Sequence, residues 1–154
     1  MSNTNVLGSP FEMSLRILLM LNELNGKELD IQRMSAIDFI AVYAADFNLL
    51  DENLHGYGNY RYSEYPARKD LVSAALKLLV LNGTVSFGAN QNGYMYKITE
   101  SGKHLCLDLS DSYSEEYRIA IRAVFKNYDL KSDASMLKDI NHHTLHYLQE
   151  DKHE

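Results

Sequence analysis

A chain of 154 residues that is 45% apolar, 23% charged and carries a net charge of −6 has the size of one domain and a composition unlike that of disordered or fibrous proteins. The acid excess opposes the broad positive field by which a free-standing nucleic-acid binder collects phosphates. No apolar run reaches the ~18 residues that cross a bilayer, the N-terminus lacks the basic and apolar stretches of a signal peptide, and the single cysteine, Cys106, has no disulfide partner. A cytoplasmic protein without membrane contact, with a buried and unreactive thiol, is expected.

The first helix signal is Ser9-Pro10-Phe11-Glu12: a capping serine, a proline at the first helical position and a glutamate three residues after the cap. From Phe11 to Leu24 the helix is apolar nearly all round, so it must be covered on most sides. So few elements are available that a partner is expected to supply part of the cover. Asn25-Gly26 ends it. Asp30 is then expected to cap a short turn through Met34, and Ser35-Ala36-Ile37-Asp38 to head a second helix reaching about Phe47, with Asp38 in a capping role. Residues 51–66, "DENLHGYGNYRYSEYP", read as an ordered loop. A third helix is predicted from Ala67 to Asn82, with Leu71, Ala74, Ala75, Leu78, Leu79 and Leu81 on its apolar side and Gly83 as its stop.

Strand-like alternation around Asn92-Gly93 predicts a hairpin at about residues 84–98, each strand turning one apolar face to the helices. Its tip carries no Lys or Arg. Thr99 is expected to cap a short helix, "SEEYRIAIRAVFKNY" to form another from Ser114, and residues 129–154 to form a helical or partly disordered tail. In this order the elements predict a mainly α fold, a winged helix-turn-helix with one β-hairpin wing and C-terminal helices, its winged-helix domain spanning 9–128.

Two surfaces are candidates for contact. Tyr57, Tyr60, Tyr62 and Tyr65 crowd one loop, and tyrosine combines apolar area with a polar tip at low entropic cost, which suits a protein interface. Arg61, Arg68, Lys69 and Lys77, set against Glu64 and Asp70, leave a local surplus of two positive charges for phosphates or an acidic partner. Asp139, His142, His143 and His146 have helical spacing but lack the glutamate of a His-Glu-x-x-His site and any cysteine, so no metal site is assigned. No phosphate loop and no Ser-His-Asp or Cys-His arrangement occurs, so neither catalytic residues nor a cofactor are assigned.

The stretches "SPFEMSLRILLMLNEL", "LDIQRMSAIDFIAVYAADF", "YPARKDLVSAALKLLVLNGTV" and "GYMYKITESGKHL", closing with "YRIAIRAVFKNY", resemble the small middle component of bacterial ABC-three-component systems, the group that includes Lamassu-type anti-phage and anti-plasmid defence operons. The resemblance covers about residues 9–128. It implies a non-catalytic winged-helix subunit that bridges a Rad50-like or structural-maintenance-of-chromosomes (SMC) ATPase and an effector, often a nuclease. The effector would be restrained until foreign DNA is sensed, with DNA touched indirectly or non-specifically through the complex. The other class open to the sequence is a winged-helix DNA-binding transcription regulator using Arg68, Lys69 and Lys77.

Overall fold

The computed structural model describes residues 9–151. Residues 1–8, which include most of the stretch read for a signal peptide, and residues 152–154 of the tail lie outside the described residues. The elements are α1 (Pro10–Glu23), α2 (Ile31–Val42), a 3₁₀ turn (Arg61–Glu64), α3 (Tyr65–Leu81), β1 (Val85–Asn90), β2 (Gly93–Ile98), α4 (Glu100–Leu107), α5 (Ser112–Asn127) and α6 (Ala134–Asp151). The mainly helical expectation with one antiparallel hairpin holds.

Local chemistry sets most helix starts. Ser9 accepts from the Glu12 amide at 3.2 Å, Asp30 from that of Arg33 at 2.9 Å, Thr99 from that of Gly102 at 3.1 Å and Asp111 from that of Ser114 at 3.2 Å. The second helix corrects the sequence reading. It runs unbroken from the Asp30 cap, so Ser35 lies inside it with its hydroxyl donating to the Ile31 carbonyl at 2.7 Å, and it ends at Val42. Asp38 is consequently about two turns inside the helix and caps nothing.

Every residue of α2 from Met34 to Val42 is buried, because α3, α5 and α6 surround it. α1 is covered in the same way by α3, α4 and α5, and Met13, Ile17, Leu18, Leu19, Met20 and Leu21 are essentially inaccessible. The expectation that α1 leaves apolar surface for a partner therefore fails along most of its length: its cover comes from within the chain. Met136 and Ile140 of α6 join this same core.

The hairpin pairs Val85 with Ile98, Phe87 with Tyr96 and Ala89 with Tyr94. The turn itself falls on Gln91 and Asn92. Asn90 accepts from the Asn92 amide at 2.7 Å, and the left-handed residue is Gly93, with φ +110°. On its other edge β2 is met by Leu29, whose amide donates to the Tyr96 carbonyl at 3.0 Å and whose carbonyl accepts from the Tyr96 amide at 2.8 Å. This bridge fastens the hairpin to the α1–α2 connection.

Gly102 marks the closest approach of α4 to the hairpin base. A Cβ there would lie 2.3 Å from the Thr84 carbonyl oxygen and 2.6 Å from Ile98 Cγ1. Backbone cannot yield as a flexible side chain would, so Gly102→Ala is expected to destabilise by about 1–3 kcal/mol or more despite alanine's better helix propensity. A denaturant titration checks this, and an unchanged midpoint would refute the packing argument.

Candidate functional site

The tyrosine loop divides. Tyr57 is half exposed and Tyr60 is 75% exposed, whereas Tyr62 is only 6% exposed. The Tyr62 ring lies 5.8 Å from Phe39 and stacks on His143 at 6.2 Å, while Tyr65 meets the edge of Phe39 at 5.3 Å. Asp46 gathers the loop by accepting from Arg61 Nε at 2.6 Å and from the Tyr62 hydroxyl at 2.9 Å. Asn53 holds its floor by accepting from the Ala45 amide at 2.8 Å and donating to the Gly56 carbonyl at 3.0 Å. Tyr57 donates to Glu52 at 2.7 Å.

The four cations divide as well. Arg61 is engaged by Asp46, and Arg68 is buried with its guanidinium on Asp38 and Glu64. Lys69 is exposed and donates to Gln32 at 3.2 Å. Lys77 faces solvent and has no partner among the described residues. Lys69 and Lys77 are thus matched by the exposed Glu64 and Asp70, and the local surplus of positive charge in the sequence does not persist at the surface.

Arg68 belongs to a polar network that the sequence reading missed. Asp38, wholly buried, accepts from Arg16 Nε at 2.8 Å, from Arg16 Nη2 at 3.1 Å, from Arg68 and from the Tyr117 hydroxyl at 2.7 Å. Burial alone would raise its pKa, but the charges of Arg16 and then Arg68 outweigh that and hold the carboxyl well below the usual range. Arg16 continues to Glu12, and Glu12 accepts from the Tyr113 hydroxyl. Since Tyr113 spends its one proton there, His55, whose Nε2 is 2.7 Å from that hydroxyl, must be the donor. Burial, followed by the Arg16 charge, pushes the His55 pKa down to about 4. Arg16, Arg68, His55, Tyr43 and Tyr113 line a cleft of about 580 Å³ above this network.

A second concavity, about 480 Å³, runs between α3 and the hairpin and is lined by Leu76, Val80, Leu81, Phe87, Tyr94 and Tyr96, with Ser73 and Lys77 on its rim. It exists because α3 is rotated from the predicted orientation. Val72, Ala75, Leu76 and Leu79 face inward with Arg68, which turns Leu78 and Leu81 outward, Leu81 to 85% exposure. On the hairpin Val85 and Ile98 at the base join the core and Tyr96 packs against it, whereas Phe87 and Tyr94 stand out, so the predicted apolar face splits. Phe87 is 56% and Tyr94 61% exposed, and their rings touch at 6.0 Å.

A family model for the ABC-three component (ABC-3C) system Middle Component 2 matches residues 6–150. The chain belongs to this family. The match takes in α6, which the sequence resemblance had left aside. No curated protein and no solved structure matches the chain.

In this middle component the histidine-bearing helix has other uses for its polar groups. His143 meets Phe47 at 4.6 Å, and Asp139 accepts from the Tyr128 hydroxyl at 2.7 Å. Among the described residues no group of three His, Cys, Asp or Glu side chains is placed to hold a metal, and no helix is long and apolar enough to cross a membrane. Burial pushes the Cys106 thiol up to about 11, and the side chain lies 3.7 Å from the Leu18 carbonyl.

Proposed function

We propose that this middle component is a non-catalytic, cytoplasmic subunit of a Lamassu-type defence complex. In this reading it bridges a Rad50-like or SMC-like ATPase and an effector, a nuclease by the sequence resemblance, and restrains the effector until the ATPase engages foreign DNA. The observation that carries the reading is the family match over residues 6–150. A winged-helix domain over 9–128 with α6 as a C-terminal addition suits the element order, in which the Leu29 bridge supplies the short extra strand beside the hairpin. A DNA-reading regulator is less well supported, because Arg61 and Arg68 are spent on internal carboxylates and the wing tip carries no cation.

Two exposed surfaces suit a bridge. The Tyr57–Tyr60 loop precedes the N-terminus of α3, and the aromatic groove lies at its C-terminus. Seventeen helical residues set these ends about 24 Å apart. Only Tyr57 and Tyr60 are free to anchor a partner, each worth ~2 kcal/mol if buried at a hot spot. Replacing Tyr62 would instead open the core. When the three components are co-expressed and purified through a tag on this chain, Tyr57→Ala with Tyr60→Ala is expected to release one component and retain the other. Failure of the wild-type chain to hold either component would refute the bridging role; undiminished recovery with the double variant would refute only the loop.

A further inference from the structure

The groove at the C-terminal end of α3 carries a more specific reading, one that rests on the bridging role and names what the bridge grips. We infer that it receives an acidic amphipathic helix from another component of the system.

Phe87 and Tyr94 stand on a hairpin face that in a folded monomer normally packs inward, yet both are more than half exposed beside Leu81. Leu81 also closes an adjoining concavity of about 450 Å³ lined by Phe11, Leu15, Leu78 and Leu105, so the apolar strip continues around the end of α3. Contiguous apolar surface at the rim of a domain marks a contact site more often than an accident of composition. An open trough between a helix and a two-stranded ribbon has the shape that receives a helix by its apolar residues at three- and four-residue spacing.

Charge selects the occupant. The one charged side chain lining the groove is Lys77, and it lacks a partner among the described residues. Lys69, Ser73 and Lys77 follow at four-residue spacing along α3, which places them on one face. An incoming helix therefore meets apolar floor on one side and the Lys77 ammonium on the other, and a carboxylate beside its apolar stripe completes both. Nucleic acid fits poorly. Affinity for a duplex comes from many phosphate contacts, and this lining offers one cation against six apolar or aromatic side chains.

A benzophenone side chain introduced at position 94 in the co-expressed three-component complex tests the assignment. Irradiation is expected to link it to a peptide of another component with apolar residues at three- and four-residue spacing and at least one Asp or Glu. Phe87→Ser with Tyr94→Ser should lower recovery of that component about tenfold, and Lys77→Glu should lower it in a manner that added salt reduces. All these residues are exposed, so circular dichroism should remain that of the wild type. A cross-link to a second copy of this chain, to DNA or to nothing overturns the inference, as does full recovery with the Phe87/Tyr94 variant. If the wild-type chain binds no component at all, the bridging role itself is what fails.

Discussion

Replacing Asp38 by alanine is expected to cost about 3–5 kcal/mol, because it takes the shared carboxylate from two buried guanidiniums. Arg16 and Arg68 approach this one carboxylate from α1 and α3, and Tyr117 donates to it from α5. The substitution thus leaves Arg16 with only Glu12 and Arg68 with only the exposed Glu64, and it orphans the Tyr117 hydroxyl where α1, α2, α3 and α5 meet. Asp38→Asn keeps the shape but not the charge and should fall between the variant and the wild type. For a domain of this size the loss corresponds to a fall in Tm on the order of 10 °C, readable by circular dichroism at constant protein concentration. A loss below about 1 kcal/mol would mean that the network contributes shape without stability. Replacing Glu12, Arg16, Asp38 and Arg68 together by apolar side chains of matched volume should cost less than Asp38→Ala alone, since a buried ion pair is strongly destabilising chiefly when half of it is removed.

Acidification should weaken the fold in two separate windows. His55 has a native pKa of about 4 against about 6.5 in the unfolded chain. Between those values the unfolded state binds a proton that the native state refuses, so stability is fully present above about pH 6.5 and falls as pH drops toward 4. At pH 5 the loss from this residue is about 2 kcal/mol. His143, lowered by burial and then by His142, adds in the same direction. Asp38 acts below this window: its depressed pKa contributes stability that is present above about 3.9, the unfolded value, and is lost as pH falls further. Denaturant midpoints measured from pH 7 to pH 4 should therefore decline, and His55→Gln should flatten most of the decline above pH 4.5. An equally steep profile in the variant would assign the effect elsewhere.

What could be read from the sequence was what the chain decides locally. Ser9, Asp30 and Thr99 sit within three residues of the amides they cap, and Gly93 directly follows the turn it permits, so these starts and the hairpin were visible from residue order alone. Ser35 shows the limit. Its neighbours copy a capping box, but its own hydroxyl bonds back to Ile31 because α2 is already under way.

Asp38 takes its role from residues 22 and 30 positions away, and no periodicity signals that. Arg16 and Arg68 looked like interruptions of apolar patterns, or like a solvated face, since a charge that is buried and paired has the same letter as one in water. The one-position rotation of α3 has the same origin. Arg68 is drawn inward to Asp38, Val72 and Leu76 follow on its face, and Leu78 and Leu81 are turned out. Of the candidate contact residues, Tyr57, Tyr60 and Lys77 stayed at the surface, while Tyr62 and Arg68 were claimed by the core.

The Leu29 bridge bears on how much freedom the hairpin has to lose. An isolated two-stranded ribbon is marginal in water and samples many orientations, and any partner would have to halt that motion before gaining from contact. Here two hydrogen bonds at Tyr96 pin the ribbon at mid-length, and Val85 and Ile98 root its base in the core. The rings of Phe87 and Tyr94 are thus held in position before anything arrives. Little ordering entropy remains to be surrendered on association, and a modest apolar area can support a longer-lived complex than its size alone would suggest.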